Sequence, residues 1–186
     1  MMKKSVIFSV VAVFFTCMLG ITAGHAAGPE DACAFFTKTD AESLLNAKVA
    51  SQKSQKVSAP AGNLCTYNFK VKGSTYSVKI KLSSSEEIKA EGIFASARDV
   101  FDRQKKARMA SADSAKKMRM IPALGDEAFW NGYDLWMVRA NHLFVILAHP
   151  PLPGAFPSSD AMEKAREAQD LSYSQKAAIA ILSKMK

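Results

Sequence analysis

The strictest constraint on this chain is an alternation. Between positions 65 and 72 apolar Cys65, Tyr67, Phe69 and Val71 interleave with Thr66, Asn68, Lys70 and Lys72. After a turn at Gly73 and Ser74 the pattern resumes, with Tyr76, Val78, Ile80 and Leu82 against Ser77, Lys79 and Lys81. A period of two puts each set on its own face of a strand, and a turn between two such runs makes an antiparallel hairpin with one apolar and one wet face. Sliding one strand by a single residue would turn every apolar side chain into water, so the register is specified. The rest of the fold must supply cover for that apolar face.

What precedes the hairpin reads first as an address. Lys3 and Lys4 form a basic start, Val6 to Ile21 is an apolar run, and Gly24-His25-Ala26 offers small residues at a cleavage site. We read residues 1–26 as an export signal, removed before folding, and 27–186 as a single α+β domain. Phe14, Phe15 and Thr16 precede Cys17 where a lipoprotein signal needs a small neighbour, so lipidation there is not expected. With Cys17 gone, Cys33 and Cys65 remain, an even count in an exported chain, and a disulfide between them is the expectation. Two buried free thiols are the alternative. The destination is periplasmic or secreted, with no transmembrane segment once the signal is cleaved.

Around the hairpin the chain punctuates itself. Thr39 and Glu42 have capping-box spacing ahead of Leu44 and Leu45, predicting a helix of about two turns. Residues 51–62 are polar, with Pro60 and Gly62, and read as an exposed loop. Ser83 to Ser85, followed by Glu86 and Glu87, start a helix whose apolar stripe is Ile93, Phe94, Ala97, Val100 and Phe101, ending at Lys105 and Lys106. Residues 108–119 read as a basic loop. Asn131-Gly132 marks a second hairpin, and Leu135–Val138 and Leu143–Ala148 are almost continuously apolar, as strands covered on both faces are. After the His149–Gly154 proline run, a helix over about 160–170 and a second from Ser172 close the chain. This order predicts a mainly antiparallel sheet with helices packed on one face, in two similar β-hairpin–helix halves.

Three short stretches carry a resemblance. Cys33 precedes Thr39, Asp40, Ala41, Leu44 and Leu45; Cys65 and Tyr67 open the strand; Leu124, Gly125, Asp126, Glu127, Ala128 and Phe129 follow later. This resembles a broad group of small secreted proteins and lipoproteins of unknown function, many of them bacterial. Phe35-Phe36 replaces the group's leucine pair, and Ala123 stands where a glycine is common. The resemblance implies export and a disulfide, and it lends no catalytic residue.

The residues that suggest function are few. Lys70, Lys72, Lys79 and Lys81 share the wet face of the first hairpin, where like charges repel unless solvated or given an anionic partner. Lysines on a sheet also guard against aggregation, which is the ordinary explanation. The chain carries 25 Lys+Arg against 17 Asp+Glu, a formal charge of +8. Arg98 to Arg119 is its most basic stretch but interleaves no aromatic residues, and with the export signal this excludes nucleic acid as the expected partner. Trp130, Tyr133 and Trp136 cluster around Asn131-Gly132 and are the candidate lining of an apolar ligand groove. His142 and His149 lack a placed carboxylate or thiolate, and Met118-x-Met120 lacks a third soft ligand, so no metal and no cofactor are expected. No motif of a nucleophilic, metal or phosphate-binding enzyme occurs. The expected function is therefore a non-enzymatic exported binding protein for a partner protein or an anionic envelope component. The alternatives are a carrier of a small apolar ligand and a hydrolase whose site is assembled from distant segments around His142 or His149.

Overall fold

The computed structural model describes residues 31–185; residues 1–26, where an export signal is expected, and Cys17 lie outside the described residues. Its frame is a seven-stranded sheet in the order β1-β2-β3-β7-β6-β5-β4, antiparallel throughout. The strands are β1 (Val49–Val57), β2 (Gly62–Val71), β3 (Ser74–Ser84), β4 (Arg119–Met120), β5 (Glu127–Trp130), β6 (Leu135–Arg139) and β7 (His142–His149). The helices are α1 (Ala32–Phe35), α2 (Lys38–Leu45), α3 (Ser85–Glu91), α4 (Ala97–Ala110), α5 (Ala112–Lys117) and α6 (Ser159–Leu182). The α+β class and the antiparallel sheet stand as the sequence predicts.

The β2–β3 register is the one that alternation requires: Cys65 faces Ile80 and Tyr67 faces Val78. Its turn is Lys72-Gly73, both with positive φ (51° and 81°), the mirror-image conformation whose twist suits a hairpin. Cys65, Tyr67, Phe69, Val78, Ile80, Leu82, Phe144 and Ile146 make the inner face, and α1, α2 and α6 cover it with Ala32, Phe36, Ala41, Ala177 and Ile181. The Cys33–Cys65 disulfide is formed, with the Cα atoms 5.3 Å apart, and fits an oxidising compartment. Beside it Tyr67 donates its hydroxyl proton to the carbonyl of Phe36. Burial pushes the Tyr67 phenol up to about 12, with Asp31 and Asp40 acting in the same direction.

The helices divide between two faces, where the sequence pattern had placed them on one. Phe129, Trp136, Val138, Leu143 and Val145 point outward and are covered by Ile88 of α3 and by Ala97, Val100 and Phe101 of α4. The continuous apolar runs of β6 and β7 therefore have the two-sided cover they implied. The two halves do match in their strands: β1-β2-β3 and β5-β6-β7 are meanders, and their last strands pair with each other. An axis relating them would put the following helices on the same face, yet α4 lies on one face and α6 on the other.

Several local expectations are corrected. The capping box is Thr37 with Asp40, not Thr39 with Glu42; Glu42 instead accepts from the Val49 amide at 3.1 Å. Residues 49–57 are an edge strand and not a loop, because an edge strand wet on both faces carries no hydrophobic period. The helix after Ser84 is two helices. Gly92, left-handed at φ 81°, ends α3, and Ser96 caps α4, so Ile93 falls in the link and is exposed. Residues 108–119 hold the end of α4, α5 and the start of β4. The last two predicted helices are one, capped by Ser158; Ser174 in its middle is turned inward and accepts from the Ala148 amide at 3.1 Å.

The segment Leu124–Phe129 is a scaffold device. Gly125 sits at φ 66° with a Cβ-equivalent position 2.6 Å from the Val138 carbonyl, so a side chain has no room. Asp126 accepts from the Ala140 amide (2.6 Å) and pairs with Arg139 (2.8 Å), tying this turn to the β6–β7 turn. Ala123 adopts φ 57°, the left-handed region that glycine occupies at no steric cost.

Two measurements check this account. The disulfide closes a loop with a sequence separation of 32. A Cys33→Ala/Cys65→Ala chain should lose about 2–4 kcal/mol in urea denaturation, and an unchanged midpoint would count against the clamp. Ala123→Gly should raise stability by about 0.5–1 kcal/mol, because relief of the left-handed alanine exceeds the entropy glycine adds to the unfolded chain.

Candidate functional site

The register fixes what the outer face carries. One row of facing residues runs Gln55, Leu64, Lys81, Val145, Trp136, Phe129 and Met120 across all seven strands. The next row holds Lys53, Thr66, Lys79 and Leu147. Lys53 and Lys79 therefore flank Thr66, about 10 Å apart at the ordinary strand spacing, and Lys81 lies about 7 Å along β3 from Lys79. Lys70 is farther down β2 on the same face. Lys72 is not; it occupies the hairpin turn. The cluster is Lys53, Lys70, Lys79 and Lys81. Sequence reasoning missed Lys53 because it missed the strand that carries it.

Ion pairing separates these lysines from the other basic residues within the strands, Lys56, Arg119 and Arg139. Lys56 pairs with Glu87, Arg98 and Lys105 with Glu127, Arg103 with Asp99, Lys117 with Glu163, Arg119 with Glu167 and Arg139 with Asp126. Lys53, Lys70, Lys79 and Lys81 have no ion pair among the described residues. Three are exposed, and Lys81 is half-buried. Burial lowers the Lys81 ammonium below its ordinary range against the opposing pull of Glu91. Across the face, burial raises the Asp134 carboxyl, while the Asn131 side chain, Arg108 and Lys79 pull it down. The ends of α3 and α4 thus border an open basic surface whose own counter-charges are few.

The tryptophan groove is not assembled. Trp130 is fully buried in the inner core, whereas Trp136 lies on the outer face and stacks on Phe129 with ring centroids 5.9 Å apart. Facing residues across this turn differ by odd numbers, Trp130 with Leu135 and Phe129 with Trp136, so the even spacing from Trp130 to Trp136 puts them on opposite faces. Tyr133 alone is exposed at the turn, whose backbone is held by Asn131 Oδ1 accepting from the Tyr133 and Asp134 amides.

His142 and His149 do not approach each other; they begin and end the same strand. His142 packs between Phe35 and Phe144. His149 Nδ1 lies 2.8 Å from Asp170 Oδ2, a pairing that no local pattern in the sequence signals. Arg166, 3.8 Å from Asp170 Oδ1, donates to the Pro150 carbonyl, and Gln169 donates to that of Pro151 at 3.0 Å. These α6 side chains lash the proline run to the helix. Burial raises the Asp170 carboxyl against His149 and Arg166, which both pull it down. A cleft of about 350 Å³ opens here, lined by Lys117, Tyr133, His149, Glu163, Arg166 and Asp170 among others. Among the described residues no serine, threonine or cysteine lines it. Among the described residues no group of three or more His, Cys, Asp or Glu side chains could hold a metal, and no helix is long and apolar enough to cross a membrane.

Lys81 provides a stability test with a definite sign. Its folded pKa is depressed, so its contribution is most favourable above the ordinary 10.5 and is lost as pH falls through the folded value. At neutral pH the ammonium is a net cost. Lys81→Met should therefore raise the urea midpoint at pH 7, by about 0.5–1 kcal/mol because water still screens part of the charge. The gain should shrink as pH approaches 10.5; a gain independent of pH would point to packing alone.

No family model, no curated protein and no solved structure matches this chain.

Proposed function

We propose that this chain is an exported, non-enzymatic binding protein. Its contact surface is the outer face of β1–β3, and its partner is an anionic component of the cell envelope. The observation that carries this reading is the set of lysines with no ion pair among the described residues, Lys53, Lys70, Lys79 and Lys81, on the face of β1–β3 that no described helix covers. The other basic residues within strands, Lys56, Arg119 and Arg139, each pair with an acid, and burial works against the charge of half-buried Lys81. Aggregation control alone does not call for a desolvated lysine in the third strand of a sheet; it acts at edges. The disulfide and the signal-like residues 1–26 support an oxidising destination, periplasmic or secreted.

The folded protein should sediment with vesicles containing phosphatidylglycerol and not with phosphatidylcholine vesicles. Binding should weaken steeply with added salt. Each lysine near an anionic surface contributes about 1 kcal/mol, so changing all four to glutamate should weaken retention by about a thousandfold or more. Retention unaffected by those substitutions or by salt would overturn the assignment of this face.

A further inference from the structure

Met118-x-Met120 holds two soft ligands in sequence, and the fold brings a third. Met118 is extended and Arg119 and Met120 form β4, so successive side chains alternate in direction. Arg119 reaches Glu167 of α6 at 2.7 Å, which leaves the two methionines on the other side. That side belongs to α4. Met120 faces Phe129 across β4–β5, and Met118 packs against the cluster that holds Phe101 and Phe129. Phe101, Lys105 and Met109 are spaced four apart on α4 and share one helix face. Phe101 meets Phe129, and Lys105 reaches Glu127, so this face is turned toward β5. Met109, Met118 and Met120 accordingly line one groove of about 550 Å³, with Lys105 and Ala115 beside them. Met109 is 62% exposed and Met120 50%, so these thioethers are not filling a core.

We propose that Met109, Met118 and Met120 form a three-thioether site for a soft monovalent cation, Cu(I). Neutral sulfur donors select Cu(I), whereas Zn(II) takes imidazole, thiolate or carboxylate, and Ca(II) and Mg(II) take oxygen. Among the described residues no carboxylate, imidazole or hydroxyl side chain lines the groove, so a harder cation finds no ligand in it. Lys105 does not bar a cation. Its ammonium is held by Glu127 at 2.5 Å and lies 3.9 Å from Asp102, so carboxylates already balance its charge. Three rotatable bonds in each methionine let sulfurs carried by a helix and a strand close on one ion. Cys33 and Cys65 are joined to each other on the inner face, so among the described residues no thiol competes.

Ag(I), soft, monovalent and redox-inert, is the probe. It is titrated as the nitrate into the whole chain carrying Cys17→Ser, so that no free thiol takes it up. Calorimetry should show one saturable site. With methyl-labelled methionine, the ε-methyl resonances of Met109, Met118 and Met120 should move, and those of buried Met137 and exposed Met162 should not. Met109→Leu should weaken Ag(I) at least about tenfold, and the triple change of Met109, Met118 and Met120 to leucine should abolish the site. Leucine conserves the apolar volume, and far-ultraviolet dichroism checks the fold. A thioether has no proton to lose, so affinity should hold from about pH 7 to about pH 5, where imidazole ligands become protonated. Cu(I), delivered without oxygen against a competing chelator, should rank the variants in the same order. Absence of saturable binding, binding that survives the triple leucine change, loss of affinity between those pH values, or equal movement of the Met162 methyl would each overturn the proposal.

Discussion

Everything in this molecule depends on the pairing of β3 with β7. Eight facing pairs, from Ser77–His149 to Ser84–His142, join two meanders that are separated in sequence by the whole of α3, α4 and α5. Such a junction closes a long loop before it returns any contact energy, so it forms late relative to the local hairpins. Once formed, it makes one sheet of two and gives it two continuous faces. The outer row from Gln55 to Met120 crosses the junction without interruption. It passes from polar to apolar between Lys81 and Val145. That boundary explains Lys81: its neighbour on one side belongs to the covered half, so it is desolvated by a cluster in which it has no partner.

The inner face answers a different problem. α1 has four residues and α2 eight, too few for either to persist alone. Each is fixed by something other than its own backbone. Cys33 is bonded to Cys65 in the middle of β2, Tyr67 one step along that face holds the Phe36 carbonyl, and Lys184 beyond α6 pairs with Asp40. These attachments are what allow a sequence with little apolar residue in α2 to serve as cover. The disulfide is thus a constraint on packing at the inner face.

How much of this was legible follows from which signals are local. The β2–β3 register, the Asn131 turn and the two-sided strands β6 and β7 were readable because period two and turn chemistry are local. β1 was not, since a strand exposed on both faces looks like a loop, and with it went Lys53. The break at Gly92 was visible as a glycine but not as a boundary, because Ile93 and Phe94 continued the apolar spacing on paper. Ser172 to Gln175 imitated a cap; within α6 the burial of Ser174 against the Ala148 amide outweighs that preference. At the candidate site, three of the four lysines follow from alternation, while the absence of carboxylates beside them is a tertiary fact. The distance from Trp130 to Trp136 in sequence concealed that one faces in and the other out. The third methionine, Met109, needed the whole course of α4 to arrive.

The placement of the open surface follows from a broken symmetry. The strand order alone would permit equal halves, each with its helix on the same side. The left-handed link at Gly92 and the Ser96 cap instead send α4 across the partner meander, where Phe101 meets Phe129 at a centroid distance of 5.0 Å. At the other end Arg166, Gln169 and Asp170 fasten the proline run so that α6 returns over the inner face. One meander is therefore covered on both sides and the other on one. A 24-residue helix was available, and an apolar outer face on β1–β3 would have added to the core. The sequence places lysines there instead, one of them half-buried, with no acid at ion-pair distance among the described residues. Among the described residues this is the part of the sheet left open, and the proposed partner of opposite charge would offset the cost that Lys81 carries there.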